Sequence, residues 1–103
     1  MKLRIEDHFL SEVAKSNPIG KSPYPIEILK AFKKRVFQIQ QAKSSADLRQ
    51  IKSLHFEKLK GKEYEGKYSI RLNVAYRIIF RIDENENDKV EIICIEEINN
   101  HYS

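Results

Sequence analysis

With 103 residues the chain has room for one domain, 1–103, and a domain of that size hides only about 60 to 68% of its unfolded surface, so its stability rests on a modest core. Hydrophobic content of 41% and charged content of 33% describe a soluble globular protein and exclude a disordered or membrane-embedded chain. The net charge of +4 hides an asymmetry: residues 30–62 carry ten Lys or Arg against two acids, whereas residues 82–103 carry seven acids against one lysine. A split of this kind sets up an oriented field with a basic side suited to a polyanion.

Leu3 to Ile5 suggests a short strand, and Phe9, Leu10 and Val13 follow at helical spacing. No long apolar run opens the chain, so neither a signal peptide nor a spanning helix is expected, and the protein is expected to be cytoplasmic. Residues 17–25 hold all three prolines and one of the three glycines, which makes them a loop. A helix is predicted from Pro25 or Ile26 to about Ala42. Proline is tolerated in its first turn, and Leu29, Phe32, Val36 and Ile39 form an apolar stripe. Ser44 and Ser45 before Asp47 and Leu48 read as the start of a second, short helix ending near Lys52.

Residues 67–73 and 76–82 alternate apolar and polar groups on either side of a very short connection, the pattern of an antiparallel hairpin. Tyr68, Ile70 and Leu72 share one face with Tyr76, Ile78, Phe80 and Ile82, and the opposite face carries Arg71, Arg77 and Arg81. After a polar acidic turn at residues 83–88, residues 89–98 form a last strand that is apolar on both faces and therefore central. Cys94 lies in that strand, where an inert buried thiol is expected; one cysteine cannot make an internal disulfide, in keeping with a reducing compartment. The predicted fold class is α+β, with two N-terminal helices on one face of a small antiparallel sheet of three or four strands.

Three segments carry a family resemblance: Glu57-Lys58-Leu59-Lys60-Gly61, then Gly66-Lys67-Tyr68-Ser69-Ile70-Arg71-Leu72-Asn73, then Tyr76-Arg77-Ile78-Ile79-Phe80. Together they resemble the HigB-like branch of the RelE/ParE toxin superfamily, and the end of the chain, Glu97-Ile98-Asn99-Asn100-His101-Tyr102, is similar to the histidine-bearing C-terminal strand end of several such toxins. The resemblance implies a RelE-like fold and the toxin of a type II toxin–antitoxin pair. It further implies a ribosome-dependent endoribonuclease that cleaves translated mRNA and is neutralised by a HigA-like helix-turn-helix antitoxin, with no cofactor.

Metal-free RNA cleavage needs a base for the ribose 2′-OH, cations for the phosphate and an acid for the departing 5′ oxygen. An imidazole is suited to proton transfer near neutral pH, so His101 is the candidate acid or base; a tail histidine with no role fits its position too, and the resemblance favours the active-site reading. Tyr102 can stack on a base, assist proton transfer or simply anchor the terminus. Arg71 and Arg77 can clamp one phosphate or pair with acids of the last strand such as Glu91, and the resemblance supports Arg71 as phosphate ligand over Arg77. Asn73 can bond substrate or hold the hairpin turn, and Lys58 and Lys60, pointing the same way if extended, can grip backbone phosphates. Some HigB-like toxins have a histidine where this chain has Glu57, with His55 two places earlier; Glu57 can serve as the base, or can only pair with Lys58, Lys60 or Arg71. His8, His55 and His101 are far apart in sequence and no metal-ligand spacing is present.

Two rival readings predict different behaviour. A ParE-like inhibitor that binds DNA gyrase without chemistry stays toxic without His101. A degenerate toxin that only binds antitoxin or RNA arrests no growth.

Overall fold

The structure, a computed structural model, describes residues 1–16, 21–87 and 89–100. In chain order these form strand β1 (Lys2–Ile5), helices α1 (His8–Lys15), α2 (Ile26–Gln41) and α3 (Ser45–Gln50), strand β2 (Glu57–Lys58), and strands β3 (Lys67–Arg71), β4 (Arg77–Glu84) and β5 (Glu91–Asn99). Single 3₁₀ turns at Lys52–Leu54 and Lys62–Tyr64 flank β2. Among the described residues the five strands make one sheet in the order β1-β5-β4-β3-β2.

The expected hairpin is present. Tyr68 faces Phe80, Ile70 faces Ile78 and Arg71 faces Arg77 across an antiparallel ladder, so the alternation does divide the two strands into an apolar and a charged face. The predicted stripe on α2 is buried along its length, joined by Ile28, and covers the apolar face together with Leu10 and Val13 of α1 and Leu48 of α3. Asp7 starts α1 by accepting the Leu10 amide at 2.9 Å on its carboxylate, which satisfies one of the helix's unpaired first-turn donors. β5 is central, as its two apolar faces required.

The sheet exceeds the expected three or four antiparallel strands, and three helices replace two. β1 joins β5 in parallel, Leu3 opposite Ile93 and Ile5 opposite Ile95, so the sheet is mixed. A parallel neighbour needs a long connection, and nearly the whole chain intervenes here. β2 adds a two-residue edge, Glu57 opposite Ser69 and Lys58 opposite Tyr68.

One irregularity matters for charge placement. Ile79 pairs with Glu97 and Phe80 with Ile95, so Glu96 is an extra residue in β5. The bulge shifts the phase of the strand: Ile93 and Ile95 face the helices before it, and Ile98 faces them after it. Cys94 is fully buried, and its thiol donates to Asp83 Oδ2 at 3.4 Å.

Candidate active site

The face of the sheet turned away from the helices is only partly wet. Ser69, Leu59 and Ile79 are buried on it, and Arg77 is 6% exposed. The face therefore has an apolar middle with charged groups at either end.

At the end near the β4–β5 turn the charges are matched. Arg81 bonds Glu6 Oε1 at 2.7 Å, Glu96 Oε2 at 2.9 Å and Asp83 Oδ1 at 3.3 Å, and Lys67 bonds Glu96 Oε1 at 2.8 Å. These bonds raise the pKa of Lys67 and of Arg81 above their ordinary values, with the hydrogen bond donated to Glu96 leading for Lys67 and that donated to Glu6 for Arg81. For Glu96 burial acts upward, but the bonds from Lys67 and Arg81 prevail and hold its carboxyl below the ordinary value. Arg81 is thus committed to carboxylates.

At the hairpin end the arrangement differs. Arg77 Nη1 lies 3.2 Å from Glu57 Oε2 and donates to Ser69 Oγ at 3.1 Å. Glu57 therefore pairs with Arg77, and Glu91 bonds neither arginine, its carboxylate accepting instead from Ser45 N at 2.8 Å and Ser45 Oγ at 2.7 Å. Beside Arg77, Arg71 has a buried Nε without a hydrogen-bond partner. A buried guanidinium donor left unpaired is costly, which sets Arg71 apart from the bonded Arg77 beside it. The carbonyl of Arg71 is held from the helix side by Arg35 Nε at 3.0 Å, and Arg35 Nη1 also bonds Gln38 Oε1 at 2.8 Å; burial pulls the pKa of Arg35 down from its ordinary value.

Asn73 accepts the amides of Ala75 and Tyr76 on Oδ1, both at 2.8 Å, and so holds the hairpin turn. Val74 projects from the tip, 87% exposed. Lys58 and Lys60 are exposed, but the register puts Lys58 opposite Tyr68 on the helix side of the sheet, away from Arg71 and Arg77. On that side Arg49 stacks its guanidinium 4.3 Å from the Phe56 ring centre and 5.8 Å from that of Tyr68. His55 is exposed at the end of a 3₁₀ turn, in the left-handed region with φ 47°. His101 and Tyr102 lie outside the described residues. The last strand, as described, ends at Asn99, opposite Arg77.

Ser69 and Arg35 escaped the sequence reading. Ser69 stands at an alternate position between Lys67 and Arg71, and that place on the charged face was its one signal. Arg35 sits among lysines of a helix face and carried none. A cavity of about 260 Å³ between β1, α1 and α2, lined by Leu3, Ile5, Ala14 and Val36 among others, is on the helix side and takes no part in this arrangement. Among the described residues no group of three His, Cys, Asp or Glu could hold a metal ion, and no helix is long and apolar enough to cross a membrane.

The model of the HigB-like toxin family, described as the RelE-like toxin of type II toxin–antitoxin system HigB, matches residues 14–93. The chain belongs to the HigB-like toxins. A type II toxin has an antitoxin as its partner, so this HigB-like toxin has one too. The matched stretch contains Glu57, Ser69, Arg71 and Arg77 and stops short of His101 and Tyr102. Among solved structures, a YoeB/ParE toxin from Agrobacterium tumefaciens is similar with a TM-score of 0.60 over 99% of this chain and 100% of that one, at 13% identity. At that identity the likeness speaks for the HigB-like toxin's fold alone. No curated protein sequence matches the chain.

Proposed function

We propose that this HigB-like toxin is a ribosome-dependent mRNA endoribonuclease, neutralised by a HigA-like helix-turn-helix antitoxin. The observation that carries the reading is the presence, on one sheet face, of a carboxylate and a guanidinium that is not paired with it: Glu57 bonds Arg77 through Oε2, and Arg71 Nε is without a partner. In this reading Glu57 Oε1 takes the proton of the ribose 2′-OH and the 2′ oxygen forms a bond to the adjacent phosphorus. Arg71 balances the charge that gathers on the non-bridging oxygens, and a guanidinium keeps its own charge throughout. The bond from phosphorus to the 5′ oxygen breaks, and His101, two residues beyond Asn99 in the chain, protonates the departing oxygen. The products are a 2′,3′-cyclic phosphate and a 5′-hydroxyl.

Tyr102 stacks on a base, Lys58 and Lys60 hold backbone phosphates, and Asn73, whose Oδ1 holds the turn, offers its side-chain Nδ2 to substrate. Side chains supply base, cation and acid, so the reaction as proposed needs no metal. So few groups leave most of the rate to orientation, which the ribosome supplies.

The test is a reverse-transcription map of mRNA ends after adding the toxin to a defined translation reaction, with His101→Ala and Glu57→Gln alongside. Codon-phased cuts that require ribosomes and fall by about 10²- to 10⁴-fold in the variants are expected. Growth arrest in cells without cuts in the reaction would overturn the nuclease reading and point to gyrase.

A further inference from the structure

We infer that Ser69 and Arg77 form a positioning relay for Glu57, and that Arg77 does not contact RNA; the inference rests on the nuclease reading above. Three strands meet in the relay. Glu57 of β2 stands directly opposite Ser69 of β3, and Arg77 of β4 stands opposite Arg71 of β3. One nitrogen, Arg77 Nη1, joins Ser69 Oγ at 3.1 Å to Glu57 Oε2 at 3.2 Å.

The two arginines of the site are in opposite states. Arg71 keeps a buried Nε without a partner, whereas Arg77 is nearly enclosed and has its Nη1 bound on both sides. A phosphate that took Arg77 Nη1 would have to displace Ser69 or Glu57, the latter being the group proposed to start the reaction. Glu57 is the member that needs support. It belongs to a two-residue edge strand and its side chain is 44% exposed, so without a fixed partner it would turn among several rotamers. A guanidinium held in plane by a buried hydroxyl fixes Oε2 and thereby aims Oε1 outward. Ser69 is fully buried, so its hydroxyl is a fixed point supplied by the core strand. Lysine in place of Arg77 would keep the charge and lose the rigid fork.

The experiment is a double-mutant cycle on single-turnover cleavage of ribosome-bound mRNA, using the full chain as wild type, Ser69→Ala, Glu57→Gln and the double variant. Ser69→Ala is expected to lower kcat about tenfold with KM unchanged, the size of one hydrogen bond to a charged group. In the Glu57→Gln background the same change should cost nothing more, because the relay has nothing left to aim. A loss from Ser69→Ala that persists undiminished beside Glu57→Gln, a rise in KM alone, or wild-type activity in either single variant would overturn the inference. Thermal melts show whether Ser69→Ala folds; if it does not, Arg77→Lys takes its place in the cycle with the same expectation. A wild-type toxin that cuts nothing overturns the nuclease reading and this inference with it, whereas cutting with additive losses overturns the inference alone.

Discussion

Replacing Glu96 by glutamine tests whether the charged face is balanced at one end by design of the strand. The bulge in β5 turns Glu96 towards Lys67 at 2.8 Å and Arg81 at 2.9 Å, with its side chain 19% exposed. Hydrogen bonds to charged groups are worth about 1.5–3 kcal/mol each, but both cations are about one-third exposed and solvent screening reduces the gain. Glutamine keeps the shape and one acceptor, so a loss of about 1–2 kcal/mol is expected for Glu96→Gln, or roughly 5–15 °C in Tm for a domain of this size. The loss should depend on pH. The folded state holds the Glu96 carboxyl below its ordinary value of 4.5, so the unfolded chain binds the proton more readily. The stability due to Glu96 is therefore complete above that value and disappears as the pH falls through the lower, folded one. Melting curves of both proteins between pH 3 and pH 7 should diverge at neutral pH and converge in acid. Equal melting temperatures at pH 7, or a gap that stays constant into acid, would refute the reasoning.

Phe32→Ala removes a fully buried ring from the centre of the helix–sheet core and should cost about 3–5 kcal/mol by urea denaturation, a large share of the stability of a small domain. Asn73→Ala deletes the acceptor for two turn amides and should lower stability by about 1–2 kcal/mol in the same assay, while Asn73→Asp, which keeps the oxygen, should cost less. If the proposed nuclease reading holds, Lys58→Ala weakens RNA binding and lowers the slope of log affinity against log salt by about 1, with little change in the rate of the bound complex. Cys94, whose thiol pKa is raised by burial first and then by the hydrogen bond to Asp83, should resist iodoacetamide at pH 8 in the native protein and react only as fast as the domain unfolds.

The parts of the fold that could be read from the sequence are those in which one periodicity governs a long enough run. α2 has four stripe residues at spacings of 3, 4 and 3, and the β3–β4 hairpin has two alternating runs whose apolar faces coincide. β2 is two residues long, too short for any period to register, and nothing in the alternation of β1 states that its neighbour runs parallel. The bulge did leave a trace: the step from Ile95 to Ile98 breaks the two-residue beat of Ile93 and Ile95. In the site, residue types were legible and partnerships were not. Glu57 is twenty residues from Arg77, and only the register of three strands brings Nη1 to Oε2; the sequence offers Glu91 equally as a partner of Arg77, and the structure places it beside Ser45 instead.

The basic lysine of β2 and the candidate site lie on different faces of the sheet, and in the proposed nuclease reading this constrains how RNA approaches. Lys58 and the stacked guanidinium of Arg49 are on the helix side, whereas Arg71, Arg77 and Glu57 are on the other. The charged end beyond Ile79 offers no alternative track, because Lys67 and Arg81 are bonded to Glu6, Asp83 and Glu96. A strand of RNA held by Lys58 and Lys60 and cut at Glu57 and Arg71 would therefore have to cross the β2 edge, the narrowest part of the sheet. Lys58 and Glu57 are adjacent residues pointing to opposite faces, so the crossing occurs at their shared edge. In the nuclease reading, β2 is the edge over which the substrate bends, and its two residues divide the tasks of holding and cutting.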